Sequence, residues 1–452
     1  MSATKSAGPT TLANHLDKEV KTDVLGAIDA DKLTEAAQGD HKAINEEYKI
    51  WKKNSPYLYN VVIATVMDHP TLTVEWLPDL FDDITPGSMS ARLMFGSHSS
   101  GLDKDYIHVA SVELPTHLRP ETIGLLSKQE GGTDMKQHHD AHGRHKRIAI
   151  VQSIYEDGEV NVARYNPLAS KQIAAAHVTG DIHIFDRNNI MNSREEAKPV
   201  FNLKHHTKEG WGLNWNINHA DQLVSGAIDS TVAFWKIPEA AADGSCKEVT
   251  PQTVYHHDGA VNDVKFSYKM DFLIGSASDD CTVRLWDTRK SGTSAACTIK
   301  ESRGINSLDF NPHSEFLVAT GSADETVKVW DMRRMDTPIA QLYSHCDEVT
   351  KVQWSPHYPS VLASGGHDRA ILVWDIARLN DDLSSDENDE GPPELLFHHG
   401  GHSSRISDFD WHPTLPWVIA SAAEDNVIQV WRMAESISND EAVPADDVDM
   451  EE

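Results

Sequence analysis

Histidine, serine and aspartate recur at fixed spacings in the C-terminal part of the sequence. In five segments a Ser or Thr precedes an aromatic residue by ten positions: Ser225, Ser276, Thr320, Ser364 and Ser421. An Asp precedes the same aromatic residues by six positions: Asp229, Asp280, Asp324, Asp368 and Asp425. A His precedes four of them by 29 positions: His206, His257, His345 and His402. Ser, His and Asp are the residue types of a hydrolytic triad.

The repetition of this set argues against catalysis. A triad is needed once, and its serine must be exposed to the substrate. A repeating unit can instead use the three side chains to link a turn, a strand and the Trp indole in one buried hydrogen-bond network. We therefore predict a structural role. A hydrolase is the unlikely alternative, which burial of all five hydroxyls would exclude.

The aromatic residues that anchor these sets close six similar segments. The segments end in DIHIFD, TVAFWK, TVRLWD, TVKVWD, ILVWD and IQVW, with aromatic residues at Phe185, Trp235, Trp286, Trp330, Trp374 and Trp431. The intervals are 50, 51, 44, 44 and 57 residues. This period, with β-branched residues before each Trp, is typical of propeller blades. Phe185, with Ala175 in place of the Ser, indicates one blade without the network.

Two further stretches complete a ring. Residues 72–156 contain strand-like runs that predict a seventh blade, whereas the last repeat has only three strands. We expect YLYNVVIATV (57–66) to supply its missing outer strand, because closure removes the exposed sheet edges. The sequence thus predicts an all-β fold, a seven-bladed WD-repeat β-propeller over residues 57–433.

The flanking segments have their own patterns. We predict a disordered stretch over 1–30 and a helix over 31–56, with Asp40 as a plausible N-cap and Pro56 as its end. Ile44, Tyr48 and Trp51 share one face of that helix. Residues 380–401 form an acidic, proline-containing insertion in the last blade, and 238–249 form a plain surface loop. Residues 434–452 form a short helix and an acidic tail.

Composition restricts the class of partner. The chain has 40 Lys and Arg residues against 70 Asp and Glu residues, a formal net charge of −30 and a pI of about 5.1. This balance argues against direct nucleic-acid binding and favours a basic protein partner. No apolar run predicts a membrane span or a signal peptide, so we expect a soluble intracellular protein.

Cysteines and histidines do not predict a metal site or a cofactor. The four cysteines lie far apart without a CxxC pair, which fits a reducing compartment. Four histidines, His138, His139, His142 and His145, stand in a polar loop without a second ligand cluster. We expect no metal there.

The acidic insertion and the N-terminal helix predict a binding groove. The closing strand pairs with the blade that carries the insertion, so helix and insertion should be neighbours. NDDLSSDENDEGPPELLF (380–397) combines carboxylates with apolar residues. An acidic lip above an apolar floor would complement a basic amphipathic helix.

Four stretches resemble one protein family. NEEYKIWKKNSPYLYN (45–60), EFLVATGSADETVKVWD (315–331), GPPELLFHHGGH (391–402) and EDNVIQVWRMAE (424–435) are similar to the retinoblastoma-binding, multicopy-suppressor-type WD-repeat histone chaperones. The resemblance covers roughly residues 40–438. It implies a non-enzymatic histone-binding subunit of chromatin-modifying or histone-deposition complexes, including possible centromeric histone loading.

The resemblance also implies two histone sites. The groove would hold the first helix of histone H4 with Tyr57, Leu58, Asp386, Glu387, Asp389, Glu390, Leu395, Leu396, Phe397, His398 and Ile437. A flat face of the ring would accept the tail of histone H3 or a centromeric variant with Asp68, Glu159, Asn161, Glu209, Trp211, Asn262, Asn306, Glu348 and Glu424. Three positions depart from the family: His398 replaces an isoleucine, Asn262 a glutamate and Thr350 an aromatic residue.

The resemblance further implies other members of chromatin complexes as partners, a chain that is monomeric by itself, and a nuclear location, on chromatin and possibly at the centromere, with a cytoplasmic pool. A general propeller scaffold that binds other helical peptides in the same groove is the alternative.

Overall fold

The computed structural model describes residues 30–82, 87–118, 147–156, 158–189, 197–239, 245–290, 292–379 and 391–438, with the backbone alone at 30–41 and 156. The chain divides into two units, Met1–Ile50 and Trp51–Glu452. The second unit contains all the described strands, arranged in seven sheets. Each sheet is one blade, so the predicted seven-bladed propeller is confirmed.

The blades follow one another along the chain, and the strands of each blade are given from the innermost outwards. Blade 1 consists of β2 (Val74–Asp82), β3 (Ser88–Gly96), β4 (Asp105–Pro115) and β5 (Ile148–Glu156). Blade 2 contains β6 (Val160–Asn166), β7 (Ala169–His177), β8 (Ile182–Asp186) and β9 (Phe201–Leu203). Blade 3 contains β10 (Gly210–Trp215), β11 (Gln222–Ala227), β12 (Thr231–Lys236) and β14 (Thr253–His256).

The remaining blades have the same order. Blade 4 contains β15 (Val261–Phe266), β16 (Leu273–Ser278), β17 (Thr282–Asp287) and β18 (Cys297–Lys300). Blade 5 contains β19 (Ile305–Phe310), β20 (Leu317–Ser322), β21 (Thr326–Asp331) and β22 (Ala340–Tyr343). Blade 6 contains β23 (Val349–Trp354), β24 (Val361–Gly366), β25 (Ile371–Asp375) and β26 (Leu395–His399). Blade 7 contains β27 (Ile406–Trp411), β28 (Val418–Ala423), β29 (Val427–Met433) and β1 (Tyr59–Val66).

The ring closes in blade 7, where the two ends of the propeller meet. Strand β1 pairs antiparallel with β29, from Tyr59 opposite Met433 to Val66 opposite Val427. The N-terminal strand is therefore the outer strand of a blade whose other strands come from the C-terminal part, as the sequence predicted. The innermost strands of neighbouring blades contact one another around the whole ring.

The acidic insertion lies in blade 6, and its predicted place in the last blade was wrong. Residues 395–399 form β26, which pairs with β25 and makes the outer strand of blade 6. The insertion therefore lies between the third and the outer strand of that blade. The prediction failed because a segment counted from one Trp to the next begins with the outer strand of the preceding blade.

The N-terminal helix is longer than its sequence signals indicate. Helix α1 spans Ala30–Leu58, so Asp40 lies inside it and does not cap it. Pro56 lies in its last turn and does not end it. A proline in a helix leaves the carbonyl four residues earlier without its backbone donor. Ser55 Oγ donates to that carbonyl, of Lys52, at 3.1 Å.

The segment predicted to be a plain surface loop contains a strand. Strand β13 (Lys247–Val249) pairs in parallel with β9, from Lys247 opposite Phe201 to Val249 opposite Leu203. It is a fifth strand on the outer edge of blade 2, contributed by the chain between two strands of blade 3. Blade 2 is also the blade in which Phe185 replaces the usual Trp.

The repeated polar residues are buried, as the structural interpretation predicted. The hydroxyl-bearing residues at the Ser position are all 0% exposed: Ser225, Ser276, Thr320, Ser364 and Ser421. In blade 4, Ser276 Oγ lies 2.7 Å from His257 Nε2 and accepts from Trp286 Nε1 at 2.8 Å. Blades 3, 6 and 7 repeat this arrangement. None of these hydroxyls can meet a substrate, which excludes the triad.

Blade 5 has no His in its network, and a carboxylate takes that place. Thr320 Oγ1 donates to Glu301 Oε1 at 2.8 Å and accepts from Trp330 Nε1 at 3.0 Å. Lys328 Nζ lies 2.6 Å from Asp324 and also pairs with Glu301. The Glu301 and Lys328 side chains are 1% and 9% exposed. An ion pair thus replaces the neutral His of the other blades.

Carboxylates inside the channel join neighbouring blades. Asp408 Oδ2 of blade 7 accepts from the Val74 N–H of blade 1, and Asp410 Oδ2 accepts from Trp76 N–H, both at 2.8 Å. Glu75 of blade 1 accepts from Tyr165 N–H of blade 2 at 2.8 Å. Burial raises the pKa of Glu75 to about 8, against the opposing effect of Arg164. These bonds fix the orientation of each blade around the channel.

Within the described residues, three further observations bear on the predictions. No helix there is long and apolar enough to cross a membrane. All four cysteines are free thiols. The described side chains include no group of three His, Cys, Asp or Glu residues placed to hold a metal ion. His138, His139, His142 and His145 lie outside the described residues, as do the predicted disordered segment 1–29 and the tail 439–452.

Candidate functional site

The last turns of α1 are fixed to the propeller by Trp51. The indole N–H of Trp51 donates to Tyr59 Oη at 2.9 Å, and Tyr59 Oη lies 2.8 Å from His399 Nδ1. A Trp N–H can only donate, so the Tyr59 hydroxyl donates in turn to His399. Burial, with nearby His402 and His398, holds the pKa of His399 well below its usual value, and the ring stays neutral. His399 stacks on Trp431 at 4.3 Å.

Two glycines after β26 allow the close approach of this tryptophan. A Cβ placed on Gly401 would lie 2.8 Å from the Trp51 ring and 2.5 Å from Gln429 Oε1. A Cβ on Gly400 would lie 4.0 Å from the same ring and 3.5 Å from His398. Gly401 is therefore required for close packing rather than for backbone freedom. His398, an exposed residue, lies beside Trp51.

Apolar side chains form a continuous surface around this anchor. Leu58, Leu396 and Ile437 are partly buried and pack against one buried cluster that contains Tyr59 and Trp431. Beside them, Tyr57 is 82% exposed. We call the surface formed by Trp51, Tyr57, Leu58, Leu396 and Ile437 the side groove. It combines the end of a helix, an outer strand and the short C-terminal helix α2 (Glu435–Ser438).

Backbone hydrogen bonds hold the C-terminal side of the groove. Ala434 N–H donates to the carbonyl of Leu58 at 2.9 Å, and Ile437 N–H donates to that of Ala434 at 2.9 Å. Glu435 N–H donates to Asn60 Oδ1 at 3.4 Å. The position of Ile437 is therefore tied to that of Leu58, although 379 residues separate them in sequence.

Two predicted groove residues point elsewhere. Phe397 is 6% exposed and packs edge-on against Tyr59, with ring centroids 5.2 Å apart. Its side chain belongs to the core beneath the groove and is not an exposed anchor. Leu395 packs against a different cluster, with Leu372 and Trp374. A register shift in the pairing of β25 with β26, at Val373 and Trp374, separates Leu395 from Leu396.

The predicted acidic rim lies outside the described residues. This applies to Asp386, Glu387, Asp389 and Glu390, which belong to segment 380–390. The structure resumes at Gly391, before Pro392 and Pro393. The apolar part of the predicted groove is thus described, whereas its charged part stays a prediction.

The second predicted site lies where the innermost strands begin. Glu159, Glu209 and Glu348 directly precede the first strands of blades 2, 3 and 6. First strands run in the same direction around a propeller, so these residues lie at one end of the channel. Glu424 of blade 7 shares this end, because its N–H donates to the carbonyl of Arg405, the residue before β27, at 3.1 Å. We call this end of the channel the acidic face.

Other predicted residues of the acidic face have identifiable partners. Asp68 is exposed and follows Met67, whose N–H donates to the Asn426 carbonyl of blade 7. Glu159 Oε2 lies 3.8 Å from His98 Nδ1. Trp211 is 38% exposed and offers a stacking surface.

The predicted asparagines mainly hold the ring together. Asn161, Asn262 and Asn306 occupy the register shift between the first two strands of their blades. Their side-chain amides donate to carbonyls of the next blade, those of Gly210, Ile305 and Val349, at 3.4, 3.1 and 3.0 Å. Thr350, at the same position of blade 6, donates to Ile406 O at 3.1 Å. These side chains set the spacing of the blades around the channel mouth.

Sequence reasoning missed the roles of Tyr59, His399 and Gly401, which position Trp51. The HHGGH stretch from His398 to His402 contributed to the prediction only through the resemblance. Its two adjacent glycines in a strand end could have indicated the close approach of a bulky side chain.

Comparison with known proteins identifies the family. Residues 46–116 match the family model for the "Histone-binding protein RBBP4", whose description also names the equivalent subunit of the CAF1 complex. Residues 249–287, 295–331, 336–375 and 393–432 match the WD domain, G-beta repeat. A "Histone acetyltransferase type B subunit 2" of Yarrowia lipolytica is 96% identical over 452 residues, which are 100% of both chains. The chain belongs to the histone acetyltransferase type B subunit 2 family.

Members from other fungi support the assignment. The protein of that name from Aspergillus oryzae is 46% identical over 88% of this chain and 92% of its own. The one from Neurospora crassa is 44% identical over 94% of this chain and 96% of its own. The predicted family and the predicted class, a non-catalytic histone-binding subunit of chromatin complexes, are thereby confirmed. The residues of the two sites stay predictions.

Proposed function

We propose that the side groove binds the first helix of histone H4 and that the acidic face binds a basic histone tail, such as that of histone H3. The observation that carries the groove is the exposed Tyr57 beside the half-buried Leu58, Leu396 and Ile437 on one core cluster. A helix with an apolar stripe can cover this surface, and its flanking Lys and Arg residues suit a chain of net charge −30.

The assembly follows from the relatives. Because the 96% identical protein is named a type B histone acetyltransferase subunit, we propose that this chain holds histones for a type B acetyltransferase complex and performs no catalysis itself. Loading of a centromeric H3 variant, a nuclear location with a cytoplasmic pool, and a monomeric state outside the complex are parts of the same proposal. They await direct localisation and mass measurements.

Binding kinetics with a peptide of the H4 helix test the groove. Tyr57→Ala and Leu396→Ala each remove one apolar anchor of about 1.5 to 3 kcal/mol when fully buried, so affinity should fall about tenfold or more through faster dissociation. Tyr343→Ala is the matched control, because Tyr343 is a 62% exposed tyrosine on blade 5. Unchanged affinity in both groove variants would contradict the proposal.

A second peptide separates a histone site from a general helix-binding scaffold. An unrelated basic amphipathic helix of equal length and charge should bind more weakly than the H4 helix. Equal affinity would favour the scaffold. Replacement of Asp386, Glu387, Asp389 and Glu390 by Lys should slow association and flatten its salt dependence, because rim charges act mainly on encounter.

The acidic face is tested with a histone H3 tail peptide. Glu159→Gln, Glu209→Gln and Glu348→Gln together should weaken binding, and the wild-type affinity should fall steeply as salt rises. Tail binding that survives all three substitutions would contradict this part of the proposal without affecting the groove.

A further inference from the structure

The carboxylates of the acidic face occupy two repeated backbone positions. The first is the residue that precedes the innermost strand, which in blades 2 to 7 is Glu159, Glu209, Ala260, Gly304, Glu348 and Arg405. Its carbonyl accepts an N–H from the second position, which lies just after the second strand. In the same order, the second position is Val178, Ile228, Asp279, Ala323, His367 and Glu424.

Blade 4 lacks an acid at the positions that sequence comparison would inspect. Ala260 stands at the first position, and Asn262 stands where the family has a glutamate. Its second position, however, is Asp279, the counterpart of Glu424 in blade 7. Asp279 N–H donates to the Ala260 carbonyl at 3.0 Å, as Glu424 N–H does to that of Arg405 at 3.1 Å.

The side chain of Asp279 reaches the channel mouth. Asn262 Nδ2 donates to Asp279 Oδ1 at 2.7 Å. A Cβ placed on Gly304, the residue before the innermost strand of blade 5, would lie 3.3 Å from the same oxygen. The carboxylate therefore lies beside the start of an innermost strand, at the level of Glu209 and Glu348. Asp279 is exposed, so a ligand can approach it.

We propose that Asp279 is the cation-binding carboxylate of blade 4 and that Asn262 is its positioning residue. The inference rests on the proposed basic-tail function of the acidic face. Asn262 carries no charge, but its amide holds Oδ1, which leaves the carboxylate oriented for a Lys or Arg side chain of the tail. The same amide donates to the Ile305 carbonyl of blade 5, which fixes its own rotamer. A charge lost at one position is thus replaced from a neighbouring strand.

Titration of the full-length protein with a histone H3 tail peptide, at low and at physiological salt, tests this assignment. Asp279→Asn keeps the shape and removes one charge. Affinity should fall about threefold to tenfold at low salt, and the salt dependence should become shallower. Asp271→Asn is the control, because Asp271 lies in the turn between β15 and β16, at the opposite end of the blade 4 strands. The control should bind as wild type.

A rescue variant distinguishes a lost charge from a lost fold. In the Asp279→Asn background, Asn262→Glu returns a carboxylate to the place at which the family has one, and it should restore most of the affinity. An Asp279→Asn protein that binds like the Asp271→Asn control would overturn the inference. Glu209→Gln reports on the face itself. If Glu209→Gln weakens binding and Asp279→Asn does not, Asp279 alone is misassigned. If neither variant weakens binding, the tail site is wrong as well.

Discussion

The indole N–H of Trp51 donates a hydrogen bond to the Tyr59 hydroxyl at 2.9 Å, and this contact joins the last turns of α1 to the first residue of the closing strand. The same hydroxyl contacts His399 of blade 6. Tyr59 thus links the helix, blade 7 and blade 6 at one buried point, directly beneath the proposed histone H4 groove.

Tyr59→Phe should destabilise the protein and weaken the groove. The substitution leaves the Trp51 N–H and His399 Nδ1 without this partner, and each unsatisfied buried group costs about 1 to 3 kcal/mol. The free energy of unfolding in urea should fall by about 1 to 3 kcal/mol in total. Tyr57→Phe is the control, because its ring is 82% exposed and its hydroxyl is accessible to water. Equal stability of the two variants would show that the Tyr59 bonds contribute nothing.

Phe397→Ala and Leu396→Ala should separate core from binding surface. Phe397 is 6% exposed among Tyr59 and Trp431, so its truncation should cost about 3 to 5 kcal/mol of unfolding free energy. Leu396 is only partly buried, so its truncation should cost about 1 kcal/mol and act mainly on peptide affinity. Thermal melting and peptide titration of both proteins measure the contrast. A Phe397→Ala protein that melts like wild type would contradict the burial.

The fold was predictable because the repeat is internal. The regular recurrence of Trp and of the buried Ser identifies blades without any outside reference, and a last repeat of three strands indicates that another segment must close the ring. Registers between elements were not predictable in the same way. The segment from Trp374 to Trp431 does not state which blade receives β26. The three residues of β13 show no period that distinguishes a strand from a loop.

The sites divide similarly. Exposed Tyr57 and the carboxylates Glu159, Glu209 and Glu348 follow from the resemblance and lie where it implies. The burial of Phe397 depends on a register shift in β26 that no sequence pattern shows. The reach of Asp279 to Asn262 depends on the packing of two strands in space, since the residues are 17 positions apart.

Lys328→Met in blade 5 should be strongly destabilising. Glu301, whose side chain is 1% exposed, would keep its charge in the core without its partner. Breaking a buried ion pair by removing one member costs about 3 to 5 kcal/mol. The double variant Lys328→Met with Glu301→Gln removes the second charge and should recover a large part of that loss. Urea unfolding of wild type, single and double variants measures it, and a double variant no more stable than the single one would contradict the argument.

Acid should destabilise the protein through His412. Burial lowers the pKa of His412 to about 3, with a smaller effect of His357. In the unfolded chain the same group titrates near 6.5. Between these values the unfolded state binds the proton and the folded state does not. Stability is therefore complete above pH 6.5 and falls by roughly 1.4 kcal/mol per pH unit toward pH 3 for this one group.

The chain itself suggests the variant that tests this effect. His412 Nδ1 accepts from the N–H groups of Thr414 and Leu415, both at 3.1 Å. At the same turn of blade 5, Asn311 Oδ1 accepts from His313 and Ser314 N–H at 2.8 and 2.9 Å.

His412→Asn should therefore keep the turn and remove the titrating group. At pH 7.5 the variant should lose about 1 kcal/mol, because the contact of the His412 ring with Trp76, at 4.7 Å between centroids, disappears. Between pH 6 and pH 4.5 its unfolding free energy should fall less steeply than that of wild type, since one proton fewer is taken up on unfolding. Urea unfolding at four pH values measures both slopes. His256→Asn, at an exposed position of β14, gives the baseline for the loss of one histidine at the surface. Parallel slopes for wild type and His412→Asn, with the His256→Asn baseline equal to both, would show that His412 does not control the acid sensitivity.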